Sequence, residues 1–163
     1  MLSLLQFKGN KFVSGLCYVL FLVYIGIASI LLFFSSYRKT VRYGENEYFT
    51  EYNLIPFDTI MRYINATGTI NTSIVVTNLA GNILAFMPLG FFLPLLFKRY
   101  MKFWNTTLLV ILATLTVECL QYFFRVGSFD VDDLILNTVG GIFGFGVFKL
   151  LSVVLKPLLA TKD

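Results

Sequence analysis

Four long apolar stretches, each able to cross a bilayer, constrain this chain more than any other feature. A hydrocarbon core about 30 Å thick needs roughly 20 helical residues. The stretches cover 12–34, 74–97, 103–124 and 134–155. The first two carry no charge, the third carries Glu118, and the fourth carries Lys149 near its far end. All are apolar nearly all round, as lipid-facing helices are. With 57% hydrophobic and 13% charged residues in 163, the chain is too apolar for a disordered segment, a coiled coil or a water-soluble enzyme. The expected fold is a single all-α integral membrane domain, a four-transmembrane-helix bundle. The first stretch exceeds a signal-peptide core and no small-residue cleavage site follows it, so it reads as a retained anchor.

Orientation follows from lysine and arginine in short loops. The linker between the second and third spans holds Lys98, Arg99 and Lys102 and no acid, which places it in the cytoplasm. Both termini then lie inside (N-in/C-in), with 35–73 and 125–133 as extracytoplasmic loops of a multi-pass cell-membrane protein. Arg38, Lys39 and Arg42 compete locally with Lys8 and Lys11 around the first span. The long first loop places Tyr37, Tyr43, Tyr48 and Tyr52 at the headgroup level, where amphipathic rings settle. Pro56 disfavours helix at Ile55, and a short interfacial helix is expected over Asp58 to Ile64. Asn65-Ala66-Thr67 and Asn71-Thr72-Ser73 match a glycosylation pattern that chance produces readily.

The chain has no histidine, which excludes histidine acid–base chemistry, Ser-His-Asp triads and histidine-ligated metals. Its two cysteines, Cys17 and Cys119, differ in expected depth by roughly 18 Å at the helical rise, so they are expected as free thiols. No metal or cofactor is expected. The net charge of +4 suits an anionic membrane surface and not nucleic acid.

Polar residues gather at one depth. Glu118, Gln121 and Arg125 are spaced to share a face of the third span. Asp133 and Asn137 share a face near the outer mouth of the fourth, with Asp130 and Asp132 just before it. Asn78 and Asn82 share a face in the second. An ionisable residue inside a span marks a candidate functional site. For Glu118 the candidate partners are Arg125, Asn82 and Asn137. Carboxamides also serve as helix–helix glue, and acids favour helix N-termini, so a purely structural role competes with a functional one. Spacing leaves open whether Asp132 or Asp133 faces inward. Gly140 and Gly144 form a small-xxx-small pair that lets another helix approach, which would bring Asn137 toward Glu118. Pro88 allows a kink, which either opens a groove below Asn82 or serves packing alone.

Asn53-x-x-Pro56-Phe57, then Gly81-Asn82-Ile83-Leu84-Ala85-Phe86-Met87-Pro88-Leu89-Gly90, then Glu118-x-x-Gln121, and finally Gly127-x-x-Asp130-x-x-Asp133-x-x-x-Asn137-x-x-Gly140-Gly141 stand in order along the chain. This ordered set resembles the VanZ-like family of bacterial membrane proteins. The resemblance runs from about Asn53 to Gly144. It implies a part in lowering susceptibility to lipoglycopeptides such as teicoplanin, and it carries over Asn53, Pro56, Phe57, Asn82, Pro88, Glu118, Gln121, Asp130, Asp133 and Asn137. Arg125 and Asn78 are not a fixed part of the pattern.

Three readings follow. In the first, Asn53, Pro56, Phe57, Asn82, Gln121, Asp130 and Asn137 help bind a lipoglycopeptide, a membrane lipid or a lipid-linked cell-wall precursor at the outer face. In the second, Glu118 is general acid or base and Asp133 the second carboxylate of an enzyme acting on a lipid or polyprenyl-linked substrate. In the third, the polar residues only hold the helices of a structural or helper subunit together.

Overall fold

The structure, a computed structural model, describes residues 11–34, 52–65 and 72–160. Helix α1 spans Lys11–Phe34. A short strand β1, Tyr52–Asn53, leads into helix α2, Asp58–Asn65. Helix α3 is Thr72–Leu96, followed by a 3-10 turn at Lys98–Met101. Helix α4 is Phe103–Phe123, strand β2 is Phe129–Asp130, and helix α5 is Val131–Ala160. Four of the helices, α1, α3, α4 and α5, are long and apolar enough to cross a membrane. The expected tyrosines at 37, 43 and 48 and the basic cluster at 38–42 lie outside the described residues.

The bundle is centred on α3 and α5, which pack more extensively than any other pair. Glycine makes this possible. A Cβ on Gly144 would stand 1.8 Å from the Met87 carbonyl oxygen, and one on Gly140 would stand 2.1 Å from that of Ile83. From the facing side, a Cβ on Gly90 would meet the Gly141 oxygen at 1.9 Å. Between helices surrounded by lipid no hydrophobic driving force remains, so close van der Waals approach of this kind holds the pair. Helix α3 runs through Pro88 and Pro94 as one element. Val110 of α4 is fully buried and sits against Gly141, locking α4 onto the same seam.

Helix α1 is attached more lightly. Most of its apolar side chains are exposed, as lipid-facing ones are, and Leu32 is its buried residue. Among the described residues three polar contacts hold it: the Tyr24 hydroxyl donates to the Ala85 carbonyl at 2.8 Å, the Tyr18 hydroxyl to the Leu96 carbonyl at 3.5 Å, and Gln121 Nε2 to the Leu32 carbonyl at 2.8 Å. Leu32 lies in the last turn of α1, where carbonyls run out of intrahelical donors. Gln121 therefore caps α1 from another helix.

The turn between α3 and α4 is tied by Asn105 Nδ2 to the Arg99 carbonyl at 2.6 Å and by Thr106 Oγ1 to the Tyr100 carbonyl at 2.5 Å. Lys98, Arg99 and Lys102 make this the basic end of the bundle. The opposite end carries the acids. There β1 and β2 pair in parallel, Tyr52 with Phe129 and Asn53 with Asp130. Both cysteines are free thiols.

The sequence places Arg125 on the Glu118 face of the third span, and the structure differs. Helix α4 ends at Phe123, and Arg125 is an exposed residue with φ 53° in the turn that follows. That turn closes when the amides of Val126 and Gly127 donate to the Gln121 carbonyl at 3.0 and 3.3 Å. Among the described residues Arg125 makes no ion pair with Glu118. The fourth helix also starts earlier than the apolar pattern predicts. Its first turn takes in Asp132 and Asp133, residues that hydropathy assigns to the loop. Acids are favourable there because they face the unsatisfied N–H groups of the helix start.

Candidate functional site

Four carboxyl groups converge at the acidic end, all nearly inaccessible: Glu118 at 1%, Asp130 at 3%, Asp132 at 0% and Asp133 at 4% exposure. A buried carboxyl group is costly unless hydrogen-bonded, and here each has defined partners. Glu118 lies five residues from the middle of α4, about 7–8 Å from it along the axis at 1.5 Å per residue. Its Oε2 accepts the Asp130 amide at 3.1 Å. Glu118 thus holds the start of the chain reversal into α5.

Asp130 gathers the preceding segment. Its Oδ1 accepts Asn53 Nδ2 at 3.2 Å and the Asp132 amide at 2.9 Å, and its Oδ2 accepts the Thr59 hydroxyl at 2.8 Å. Asn53 also donates to Thr59 Oγ1 at 3.0 Å and accepts the Ile55 amide at 3.0 Å, the local turn typical of an asparagine. These contacts dock the 52–65 segment on the bundle.

Asp132 and Asp133 are neighbours with different work. Asp132 Oδ1 accepts the Phe57 amide at 2.5 Å and Oδ2 the Ile60 amide at 3.0 Å. Phe57 directly precedes α2 and Ile60 is its third residue. These are the two N–H groups that a capping box satisfies, and here one carboxylate from α5 takes both. Phe57 has no side-chain acceptor of its own, and its φ of 68° is unusual for a bulky residue. Pro56 second and a left-handed residue third give the type II turn pattern, closed by the Asp58 amide on the Ile55 carbonyl at 3.3 Å.

Asp133 instead faces a cleft. Its Oδ1 accepts Asn82 Nδ2, which ties α5 to α3. Thr59, Tyr63, Asn78, Leu79, Asn82, Asp133 and Leu136 line that cleft, between α2 and the bundle. Its volume for the centre of a water-sized group is about 10 Å³, room for roughly one water molecule. The question the sequence leaves open is thereby answered: Asp133 faces the cleft and Asp132 faces the docked segment. The cleft lies on the Asn78 side of Asn82, away from Pro88, and not below Asn82 where a proline kink would open a groove.

The other expected residues fall elsewhere. Asn137, fully buried, donates to Thr114 Oγ1 at 2.7 Å instead of meeting Glu118. Thr114 lies one turn from Glu118, so the glycine packing brings Asn137 one turn short of it. Gln121 holds α1, as described above. The Oδ1 of Asn137 and the Oε1 of Gln121 are buried and have no protein partner. Pro56 and Phe57 are exposed at the turn. Glu118 and Asp133, the two candidate acid–base groups, therefore serve different contacts. Among the described residues no group of three or more potential ligands is arranged to hold a metal. Thr59, Tyr63 and Thr114 were not singled out in the sequence. For Thr114 a signal existed, because Thr106, Val110, Thr114, Glu118 and Gln121 form one buried stripe of α4 at helical spacing. For Thr59 and Tyr63 none did, because a tertiary contact places them.

Residues 20–152 match the protein family described as VanZ/LLP1. Over 98 residues the chain is 34% identical to Protein VanZ of Enterococcus faecium, covering 60% of this chain and 52% of that protein. The chain thus spans about half the length of the curated relative it matches. No solved structure matches it.

Proposed function

From the premise that the chain belongs to the VanZ/LLP1 family, shown by the match across 20–152, we propose that it lowers susceptibility to lipoglycopeptides such as teicoplanin. Its acidic end faces the extracytoplasmic side and binds either the drug or a lipid-linked cell-wall precursor. The orientation rests on Lys98, Arg99 and Lys102 at the opposite end, which favour the cytoplasm. Both termini are then inside, and α2 lies at the outer surface.

One observation carries the reading. The Asp133–Asn82 pair lines a cleft that the docked α2 roofs with Thr59 and Tyr63. With room for about one water molecule, the Asp133 carboxylate and the Asn78 and Asn82 carboxamides can hydrogen-bond a single polar group of a headgroup resting on the cleft while its apolar part stays in lipid. Glu118, Asp130 and Asp132 act behind this cleft as framework. No comparable observation favours acid–base chemistry, since Glu118 is not among the residues lining the cleft.

The test is teicoplanin susceptibility of a sensitive Gram-positive host. The host expresses wild type, Asp133→Asn or Asn82→Leu at matched membrane levels. Protection by wild type and its loss in both inserted variants is the expected result. Absence of protection by well-inserted wild type overturns the reading, and full protection by both variants overturns the site.

A further inference from the structure

The segment docked by Asp130 and Asp132 turns an apolar surface outward. Leu54, Ile55 and Phe57 are 62%, 67% and 57% exposed, and Met61 and Ile64 of α2 are 49% and 48% exposed. Pro56 is exposed between them. An exposed apolar patch of this kind marks a contact surface. Its depth identifies the contact. The apolar stretch of the fourth span runs from 134 to 155, so Asp132 lies about 19 Å from its middle at 1.5 Å per residue. The hydrocarbon boundary lies about 15 Å from the bilayer centre. The Phe57 amide is 2.5 Å from the Asp132 carboxylate, so Phe57 is held at the headgroup level, about 4 Å outside that boundary and within reach of it for an aromatic side chain.

We infer that the 54–57 turn, with Met61 and Ile64, is a membrane-inserted wedge whose partner is the headgroup–acyl boundary of the lipid leaflet at the acidic end. Three features support this beyond apolarity. Other large apolar side chains stand exposed at the same end of the bundle, Phe123 and Phe124 at the close of α4 being 78% and 61% exposed. The left-handed backbone at Phe57 keeps that residue's amide on Asp132 while its ring stays exposed. An ion pair, Asp58 with Arg62, lies on α2 itself and is exposed, as a headgroup-level pair can be. The two carboxylates behind the segment set its depth by geometry, because each contact runs to the backbone or a short side chain. This inference stands apart from the resistance reading and from which side of the membrane α2 occupies.

The chain has one tryptophan, Trp104, 77% exposed near the start of α4 at the basic end. It is an internal standard for an interfacial ring. The experiment uses the full chain in phosphatidylcholine vesicles, with Phe57→Trp in a Trp104→Phe background. Leu54→Trp in the same background is the second variant, should the first misfold. Quenching is compared between lipids brominated near the headgroup and aqueous iodide, with native Trp104 measured alongside. The expected result is blue-shifted emission, with brominated lipid quenching each new tryptophan as strongly as it quenches Trp104, and little effect of iodide. Strong iodide quenching with no effect of brominated lipid overturns the inference in favour of a water-exposed surface. Quenching by neither overturns it in favour of a second copy or another protein covering the wedge.

Discussion

Replacing Asp132 tests how the acidic end is assembled. Its side chain is fully buried and accepts the Phe57 and Ile60 amides. Hydrogen bonds to a charged acceptor contribute about 1.5–3 kcal/mol each, and a buried amide left without a partner costs a similar amount. Taking the lower value for both bonds, Asp132→Ala removes about 3 kcal/mol from docking of the segment. At 1.36 kcal/mol per tenfold, that is roughly a 150-fold rise in the open population. Asp132→Asn keeps one oxygen acceptor but turns an NH2 group toward the second amide, so its effect is smaller, about tenfold. The assay is amide hydrogen exchange by mass spectrometry on the detergent-solubilised chain, reading peptides over 54–65 against peptides within α3 and α5. Exchange should rise in the order wild type, Asn, Ala in the first region and stay unchanged in the second, because local opening does not require the glycine seam to part. Equal protection of 54–65 in wild type and Asp132→Ala refutes the capping argument. A uniform rise across α3 and α5 shows instead that Asp132 supports the whole bundle.

Other outcomes follow from the same geometry. Gly144→Ala places a Cβ 1.8 Å from the Met87 oxygen, so its melting temperature should fall by several degrees for a cost of about 1–3 kcal/mol. Gly146→Ala, which meets nothing within 4 Å, should melt like wild type, and a thermal melt in detergent compares them. Thr114→Val and Asn137→Leu should be non-additive in a double-mutant cycle, with a coupling of about 0.6–1.7 kcal/mol for one intramembrane hydrogen bond. Gln121→Leu should loosen α1 specifically, raising exchange at its Leu32 end while leaving the α3–α5 pair protected, since Gln121 contacts the Leu32 carbonyl.

The four membrane-crossing helices were legible because hydropathy averaged over about 20 residues reports a requirement of the solvent, the bilayer, which applies to each span separately. The glycines of α5 were legible as a packing surface for the same local reason: a residue without a side chain permits close approach wherever it falls. The polar residues could be grouped by depth, since depth follows from position in a span. Their partners could not be read, because rotation of each helix about its axis is settled only when the helices pack. Arg125 shows the limit within one element: spacing placed it on the Glu118 face, but the helix ended two residues before it. Asn137 shows the limit between elements, since the seam set by Gly140 and Gly144 delivers it to Thr114 and not to Glu118. Asp132 and Asp133, adjacent in sequence, were separated by tertiary structure alone. Neighbouring helical side chains diverge by about 100°, so one carboxylate reached the amides of a distant segment and the other reached Asn82. The sequence by itself determined that the chain spans a membrane and gathers Glu118, Asp130, Asp132 and Asp133 at one end. Only the tertiary structure decided which of them hold the fold together and which one faces the cleft.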